Sequence, residues 1–231
     1  MADTQSQDEV RAEQVRMMGR DLGSLYHELW REVTWLHLKW RRCVVLFGGE
    51  KSTVDLMNDT APAFFSEVQR AMVEDVLLHI SRLTDPPATG HGKGARPNLT
   101  LLRLPEALAD EAARDIVVSR LGGLCDGCAF ARDRRNRWIA HRDLAVAMQT
   151  AHYKPLDSPT REKIEKALAG IRDVMNAVLA RFRNSRTLYE YSADGPGSAE
   201  DLIYYLREGF EARRRQLAEL QASVRPQSTQ G

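Results

Sequence analysis

Apolar side chains recur every three or four positions over most of the chain, which is the period of an amphipathic α-helix. The first such stripe runs from Val15 to Phe47 and stops at the pair Gly48-Gly49, which is typical of a helix carboxyl terminus. No stretch shows the strict alternation of a half-buried strand. The pattern therefore predicts an all-α fold, a bundle of four to five long helices.

Prolines and capping side chains mark where the later helices begin, because both are favoured in the first turn of a helix. We place these starts at Pro62, at Pro105, at Ser158 or Thr160, and at Ser198. The Pro105 helix is expected to lead directly into an arginine-rich segment.

Glycines and the loss of the helical period mark where the predicted helices are interrupted. We predict a mobile loop over residues 85–97 and a second loop over 183–198. Gly19 and Gly23 are expected to weaken the first helix slightly, and Gly122-Gly123 to break or kink the third.

The chain has 231 residues, 43% of them hydrophobic and 28% charged, as in an ordinary globular protein. We predict one helical domain over 10–221, with disordered polar tails at 1–9 and 222–231. The net charge of +1 excludes a global attraction to nucleic acid, so any such attraction must be local. Arginine supplies 27 of the 33 cations, and its planar fork suits phosphate and carboxylate.

The cysteines, the amino terminus and the length of the apolar runs indicate the cellular compartment. Cys43, Cys125 and Cys128 do not form a disulfide framework, which favours a reducing environment. The amino terminus is polar without an apolar signal segment, and the longest unbroken apolar run, Cys43 to Phe47, is too short to span a membrane. We therefore predict a cytoplasmic protein without a membrane partner.

The segment 132–143 concentrates the candidate chemistry, because it holds five arginines and one histidine. An apolar stripe from Leu121 to Ala131 precedes it, and the next position on that stripe is Arg135. Burying a guanidinium without a partner is very costly. Arg135 therefore has a committed partner, or it faces a groove or a second subunit.

Arg135, Asn136 and His141 together suffice for metal-free cleavage of RNA. Arginine holds the phosphate, histidine transfers a proton near neutral pH, and asparagine orients either the arginine or the phosphate. No metal or cofactor is needed. Residues six apart point about 120° away from each other on an ideal helix, so convergence requires arginine's reach, a helix end or a second copy of the site. The alternative is a set of structural ion pairs, for example Arg137 with Asp133.

Residues 135–141 resemble the signature of the HEPN superfamily (higher eukaryotes and prokaryotes nucleotide-binding domain). That signature is an arginine, a polar residue and a histidine after four to six intervening positions; here five intervene. The phrases at 80–86 and 46–48, and the leucine-rich final helix, are similar to the U-type abortive-infection branch. The likeness covers most of residues 20–215.

The resemblance implies a HEPN-like bundle that forms a homodimer, with two copies of the signature in one cleft. Many members are metal-independent endoribonucleases, and hence hydrolases, of phage defence or toxin–antitoxin systems, and they act on single-stranded RNA. Others only bind, so the alternative is a non-catalytic dimer that binds nucleotide, RNA or a partner protein. An antitoxin is left open, because Asp143 stands where some toxin members carry a tyrosine that their partner modifies.

Carried over by position, Arg135 is the phosphate-holding cation, Asn136 its polar companion and His141 the acid–base residue. We expect the neighbouring arginines to contact the RNA; these are Arg134, Arg137 and Arg142.

Other motifs favour ordinary structural roles. Cys125 and Cys128 have a zinc-ligand spacing, but no second pair completes four ligands. Residues 48–52 resemble a phosphate loop without the strand that such a loop follows, so we interpret them as a helix end. Residues 213–215, three arginines, are predicted to be a solvated helix face, and His79 a helix-packing histidine.

Overall fold

The computed structural model describes residues 6–90, 92–149, 154–191 and 195–224. Its α-helices are α1 (Gln7–Met18), α2 (Arg20–Phe47), α3 (Lys51–Thr60), α4 (Pro62–Leu83), α5 (Leu104–Ala107), α6 (Glu111–Gly127), α7 (Ala129–Arg134), α8 (Leu144–Met148), α9 (Arg161–Ala180) and α10 (Ala199–Val224). Within these residues α2, α4, α6, α9 and α10 each have 17 or more residues, which confirms the predicted all-α fold with its long helices. None of the described helices has an apolar stretch that could cross a bilayer.

The segment predicted as a mobile loop contains a small hairpin. Strand β1 (Ala88–Thr89) pairs antiparallel with β2 (Arg96–Pro97). The Asn98 amide nitrogen donates to the Pro86 carbonyl at 2.9 Å and to the Thr89 hydroxyl at 2.8 Å, which holds the hairpin's ends together. The pairing is too short to leave a strand pattern in the sequence.

Contacts along the backbone divide the chain into two compact units, and the described part of each has its own core. Unit 1 comprises Met1–Lys39 and Val73–Ser192, and unit 2 comprises Trp40–Met72 and Ala193–Gly231. The single domain predicted over 10–221 stays a prediction.

Unit 1 is built around the inner faces of α2, α4, α6 and α9. The α9 stripe is buried as its period predicts, except that Phe182 follows the helix end and is only half-buried. The fully buried large side chains of unit 1 include Tyr26, Leu29, Leu36, Leu77, Ile80, Leu83, Leu101, Leu104, Leu108, Ile164 and Tyr189. Thr160 caps α9, with the Lys163 amide 3.3 Å from its hydroxyl.

Unit 2 has a smaller core. Leu46, Met57, Phe65 and Ala199 are buried together, and Met72 packs against them. The predicted start of the last helix is confirmed, because Ser198 caps α10 by accepting from the Asp201 amide at 3.1 Å. From residue 211 onward the described side chains of α10 are exposed. The helix continues to Val224, so the predicted tail at 222–231 begins inside it; residues 225–231 lie outside the described residues.

The first helix starts earlier than predicted. Ser6 and Glu9 form a capping box, in which the Ser6 amide donates to the Glu9 carboxylate at 2.8 Å and the Glu9 amide donates to the Ser6 hydroxyl at 3.3 Å. Helix α1 therefore begins at Gln7, inside the range 1–9 that was predicted to be a disordered tail. Residues 1–5 lie outside the described residues.

The two early glycines have different roles from the predicted weakening of one helix. Gly19 separates α1 from α2, and Gly23 allows the two helices to pack closely. Gly19 has φ +82° and ends α1, so the stripe is carried by two helices. Gly23 lies against α1: a Cβ there would be 2.6 Å from the Val15 Cα and 2.7 Å from the Gln14 carbonyl oxygen. The Gln14 side chain also meets His27 at 2.8 Å. The close approach of two backbones explains why glycine occupies position 23.

Gly23→Ala is expected to lower the free energy of unfolding by about 1–3 kcal/mol, the usual effect of overpacking, because both close contacts are to backbone. Gly122→Ala is the matched control. Gly122 lies within α6 with nothing within 4 Å of its added Cβ, so that substitution should stabilise by up to about 1 kcal/mol through helix propensity. Urea denaturation of both variants measures the difference. Equal effects in the two would contradict the close approach.

The third predicted helix is divided differently from the prediction. Pro105 lies in the short helix α5, and α6 starts separately with Asp110 as its cap, which accepts from the Ala113 amide at 2.7 Å. The hydrogen bond from the Ala113 amide stabilises the Asp110 carboxylate most, and one from the Arg181 side chain adds to it, so both lower the pKa of Asp110. Gly122-Gly123 does not break α6; the break falls at Cys128.

Two buried histidines of unit 1, His37 and His79, make stability depend on pH. Burial lowers the pKa of each to about 4. An unfolded histidine has a pKa of about 6.5, so the unfolded chain binds more protons between pH 6.5 and pH 4. The stability from the neutral imidazoles is complete above pH 6.5 and is lost as the pH falls towards 4.

We therefore expect the free energy of unfolding to be about 2 kcal/mol lower per buried histidine at pH 5 than at pH 7. Urea denaturation at the two pH values measures this. His37→Leu should remove about half of the loss, because leucine does not titrate. A variant with the same pH dependence as the parent would show that His37 is not responsible.

Candidate functional site

The signature segment departs from α-helical geometry. After α7, residues Arg135–Ile139 form a π-helical turn, in which the Ala140 amide donates to the Arg135 carbonyl at 2.8 Å. Such single turns are rare and often lie at functional sites. His141 follows in the bend after this turn. Arg135 and His141 thus stand at the beginning and just beyond the end of one wide turn, so the 120° separation of an ideal helix does not apply.

The structure gives Arg135 a partner, which is one of the alternatives that the break in its apolar stripe left open. One guanidinium nitrogen, Nη1, contacts the carboxylate of Asp85, which follows the end of α4. Its Nε donates to the Asn136 side-chain oxygen at 3.0 Å. The Arg135 side chain is 24% exposed and the Asp85 side chain 19%. The cation is therefore anchored within its own chain, and about a quarter of the Arg135 side chain is exposed.

Asp85 is the site residue that sequence reasoning missed. The Thr100 hydroxyl lies 2.9 Å from the Leu83 carbonyl oxygen and 2.7 Å from that of Asp85, which fixes the backbone after α4. The Arg132 guanidinium donates to the Thr84 hydroxyl at 3.1 Å and so joins α7 to the same corner. Asp85 Oδ1 is buried and has no hydrogen-bond partner in the described part of the chain. The only signal in the sequence is the 80–86 phrase, which does not indicate the pair.

His141 is exposed. Across the described ranges, no hydrogen bond or ion pair holds its imidazole. The next residue, Arg142, places its guanidinium carbon 3.9 Å from the centre of the Trp138 ring, a cation–π contact. The His141 imidazole is thus free to meet a ligand, while the Arg142 guanidinium is held over the Trp138 ring.

Arg137 is committed to the local structure. It pairs with Asp133 at 3.1 Å, the ion pair that the alternative interpretation of the segment named, lies 3.8 Å from Asp143, and donates to the Lys154 carbonyl oxygen. Asp143, which stands where some toxin members carry a tyrosine, in turn caps helix α8 in this protein. Arg134 is half-buried, with no ion pair to any described residue. The predicted RNA contacts of these arginines stay predictions.

The paired cysteines lie where α6 meets α7. Cys128 is buried, and this burial raises the pKa of its thiol to about 12. The Cys125 carbonyl accepts a hydrogen bond from Arg132. The described residues contain no group of three or more histidine, cysteine or acidic side chains arranged to hold a metal ion.

The remaining candidates belong to helices or to a helix terminus. His79 is fully buried, with its Nε2 atom 2.8 Å from a Glu32 carboxylate oxygen, so it packs between helices as predicted. Residues 48–50 follow the end of α2 and residues 51–52 begin α3, which confirms a helix terminus. The arginines at 213–215 lie on the exposed part of α10.

Comparison with known proteins identifies the family. The family described as AbiU2, a HEPN family, matches residues 20–202, which include the Asp85 corner and the whole signature segment. No curated protein and no solved structure matched the chain. Since the match covers most of the chain, the protein belongs to the HEPN superfamily and, within it, to the abortive-infection family AbiU2.

Proposed function

We propose that this protein is a metal-independent endoribonuclease of a phage-defence or toxin–antitoxin type system. Membership of AbiU2 suggests a ribonuclease or abortive-infection role in general terms. The observation that carries the finer proposal is the π-helical turn, which has an anchored, partly exposed arginine side chain at its start and an exposed histidine just after its end.

These two groups perform RNA transesterification without a metal ion. His141 accepts the proton of the ribose 2′-hydroxyl, and the 2′-oxygen attacks the adjacent phosphorus. The Arg135 guanidinium stabilises the extra negative charge of the phosphorane. The bond from phosphorus to the 5′-oxygen then breaks, and a protonated imidazole gives that oxygen its proton. The products are a 2′,3′-cyclic phosphate and a free 5′-hydroxyl.

A homodimer supplies the second imidazole in this proposal. A two-fold axis repeats one surface patch on both subunits, so a patch near the signature brings two copies together. Helix α8, which follows the signature, supports this: Leu144 is 71% exposed and Met148 66% exposed, four residues apart and so on one face. Burying that face against its symmetry mate removes apolar surface from water.

The proposal is tested with metal-free protein and labelled single-stranded RNA in an excess of chelator. We expect cleavage to persist in chelator and to leave 2′,3′-cyclic phosphate and 5′-hydroxyl ends. The control is the same oligonucleotide with a single 2′-deoxy sugar at a cleaved step, where cutting should stop while neighbouring steps are still cut. Cutting at the deoxy step, or loss of all cutting in chelator, would contradict the mechanism.

A second candidate is a non-catalytic dimer that binds nucleotide, RNA or a partner protein. The ion pair between Arg135 and Asp85 favours it, because the guanidinium is already partly neutralised within its own chain. In the same assay, binding of RNA without any scission supports this second function over the first.

A further inference from the structure

A basic groove lies along α6 and α9, away from the signature's own contacts. One cavity of about 310 Å³ is lined by Arg120 of α6, Arg172 of α9 and Arg186 of the segment that follows α9. An adjoining cavity of about 340 Å³ shares Arg120 and is also lined by Lys166. We call the two together the α6–α9 groove.

The groove is held in shape by two sets of polar contacts. The Asn176 side chain donates to the Thr187 carbonyl at 3.0 Å and accepts from the Thr187 amide at 2.8 Å, which fixes the segment after α9. Arg172 contacts Asp173 at 3.2 Å and Glu190 at 3.0 Å, so its charge is largely balanced. Asn176 and Arg172 therefore build the wall.

Three cations of the groove are left without counter-charges. Arg120, Lys166 and Arg186 are exposed, and none forms an ion pair with any residue that the structure describes. The lining has four cations and one carboxylate, a net charge of +3, whereas the whole chain carries +1. The protein thus concentrates positive charge locally, as its near-neutral total requires of any anion-binding surface.

The lining indicates the class of anion. Gly123, Gly127 and Gly170 lie along the second cavity, so a ligand backbone can come close to the helices. Neither cavity is lined by an aromatic side chain among the described residues, so the groove has no platform for stacking bases. Guanidinium groups with a small-residue floor suit phosphates, and an acidic helix would find few apolar side chains to anchor it.

We propose that the α6–α9 groove binds the phosphate backbone of single-stranded RNA, independently of base sequence. The inference rests on the proposed function for its choice of RNA. Gly127 ends α6, and Arg135 follows eight residues later, a distance of roughly 12 Å at the rise of a helix. A strand that occupies the groove extends a few nucleotides beyond the step that is cut.

The test is equilibrium binding of a labelled oligoribonucleotide of about twelve nucleotides, within the usual range of single-strand sites. The parent for this series is His141→Ala in chelator, so that the RNA stays intact. The double substitution Arg120→Gln and Arg186→Gln should raise Kd about tenfold or more at low salt. It should also reduce the slope of log Kd against log salt by about 1.4, since each phosphate contact on a single strand contributes about 0.7.

A matched control removes two exposed arginines outside the groove, with Arg70→Gln and Arg214→Gln, and should leave Kd within about twofold. Binding by the groove variant equal to that of its parent would overturn the proposal. So would equal displacement of RNA by polyglutamate of the same charge, because that result assigns the groove to an acidic protein. Binding is measured without cleavage, so an inactive wild type would refute the nuclease and leave this test intact.

Discussion

Replacing His141 by alanine is expected to reduce RNA cleavage by about 10²–10⁴-fold, the usual contribution of a general acid–base group. In the proposed mechanism a His141 imidazole accepts the 2′-hydroxyl proton, and the His141 imidazole of the second subunit supplies the leaving oxygen's proton. Each dimer would therefore lose both proton transfers at once. Rates of cleavage of a labelled RNA in chelator, with wild type and variant at equal concentration, measure the effect.

The fold should be unaffected by this change. His141 is exposed and holds no other described side chain, so its removal leaves neither a cavity nor an unpaired group. Helicity, thermal midpoint and dimer mass should equal those of the wild type. His141→Gln is the conservative control: it keeps a polar side chain of similar size but transfers no proton, and it should be as inactive as alanine. Cleavage within threefold of wild type by either variant would rule out His141 as the acid–base residue.

The helical period carried most of the fold prediction, because it depends only on which side chains must leave water. The boundaries were less predictable, because they depend on contacts between helices. Gly23 illustrates the difference: as a residue in a helix it predicts only a small loss of propensity, yet the structure shows two backbones in contact there. The division of α6 from α7 falls at Cys128 rather than at Gly122-Gly123 for the same kind of reason.

The site could be predicted only as far as its residues are close in sequence. The apolar stripe predicted that Arg135 has a partner or faces a groove or a second subunit, and the structure supplies a partner, Asp85, fifty residues earlier in the chain. No local pattern indicates such a pair, because it arises when the end of α4 meets α7. The π-helical turn is equally hidden, since the spacing of side chains does not distinguish an i+5 hydrogen bond from an i+4 bond.

The cation itself is expected to be as important for cleavage as the imidazole. Arg135→Gln should reduce cleavage by about 10²–10³-fold, the usual effect of removing one donor that stabilises a transition-state oxyanion. It should also lower the free energy of unfolding by about 2 kcal/mol, because the Asp85 carboxylate stays mostly buried after losing its partner. The two losses have different causes, and a double-mutant cycle with Asp85→Asn separates them.

In that cycle, Asp85→Asn alone should also destabilise, because it leaves the guanidinium without its carboxylate. The double variant removes both charges of the pair, so neither a carboxylate nor a guanidinium is left half-buried without its partner. Its loss of stability should therefore be smaller than the sum of the two single losses by about 1 kcal/mol or more. Urea denaturation measures this coupling, and cleavage of labelled RNA in chelator measures activity on the same samples.

The activity of the double variant then decides between the two functions of Arg135. If the guanidinium meets the phosphate, the double variant stays as inactive as Arg135→Gln although its fold is restored, since neither amide carries a charge. If Arg135 serves only to neutralise the Asp85 carboxylate within the fold, removing both charges restores cleavage together with stability. Recovery of activity together with stability would assign Arg135 a structural role and remove it from the reaction, while His141 would keep its own test.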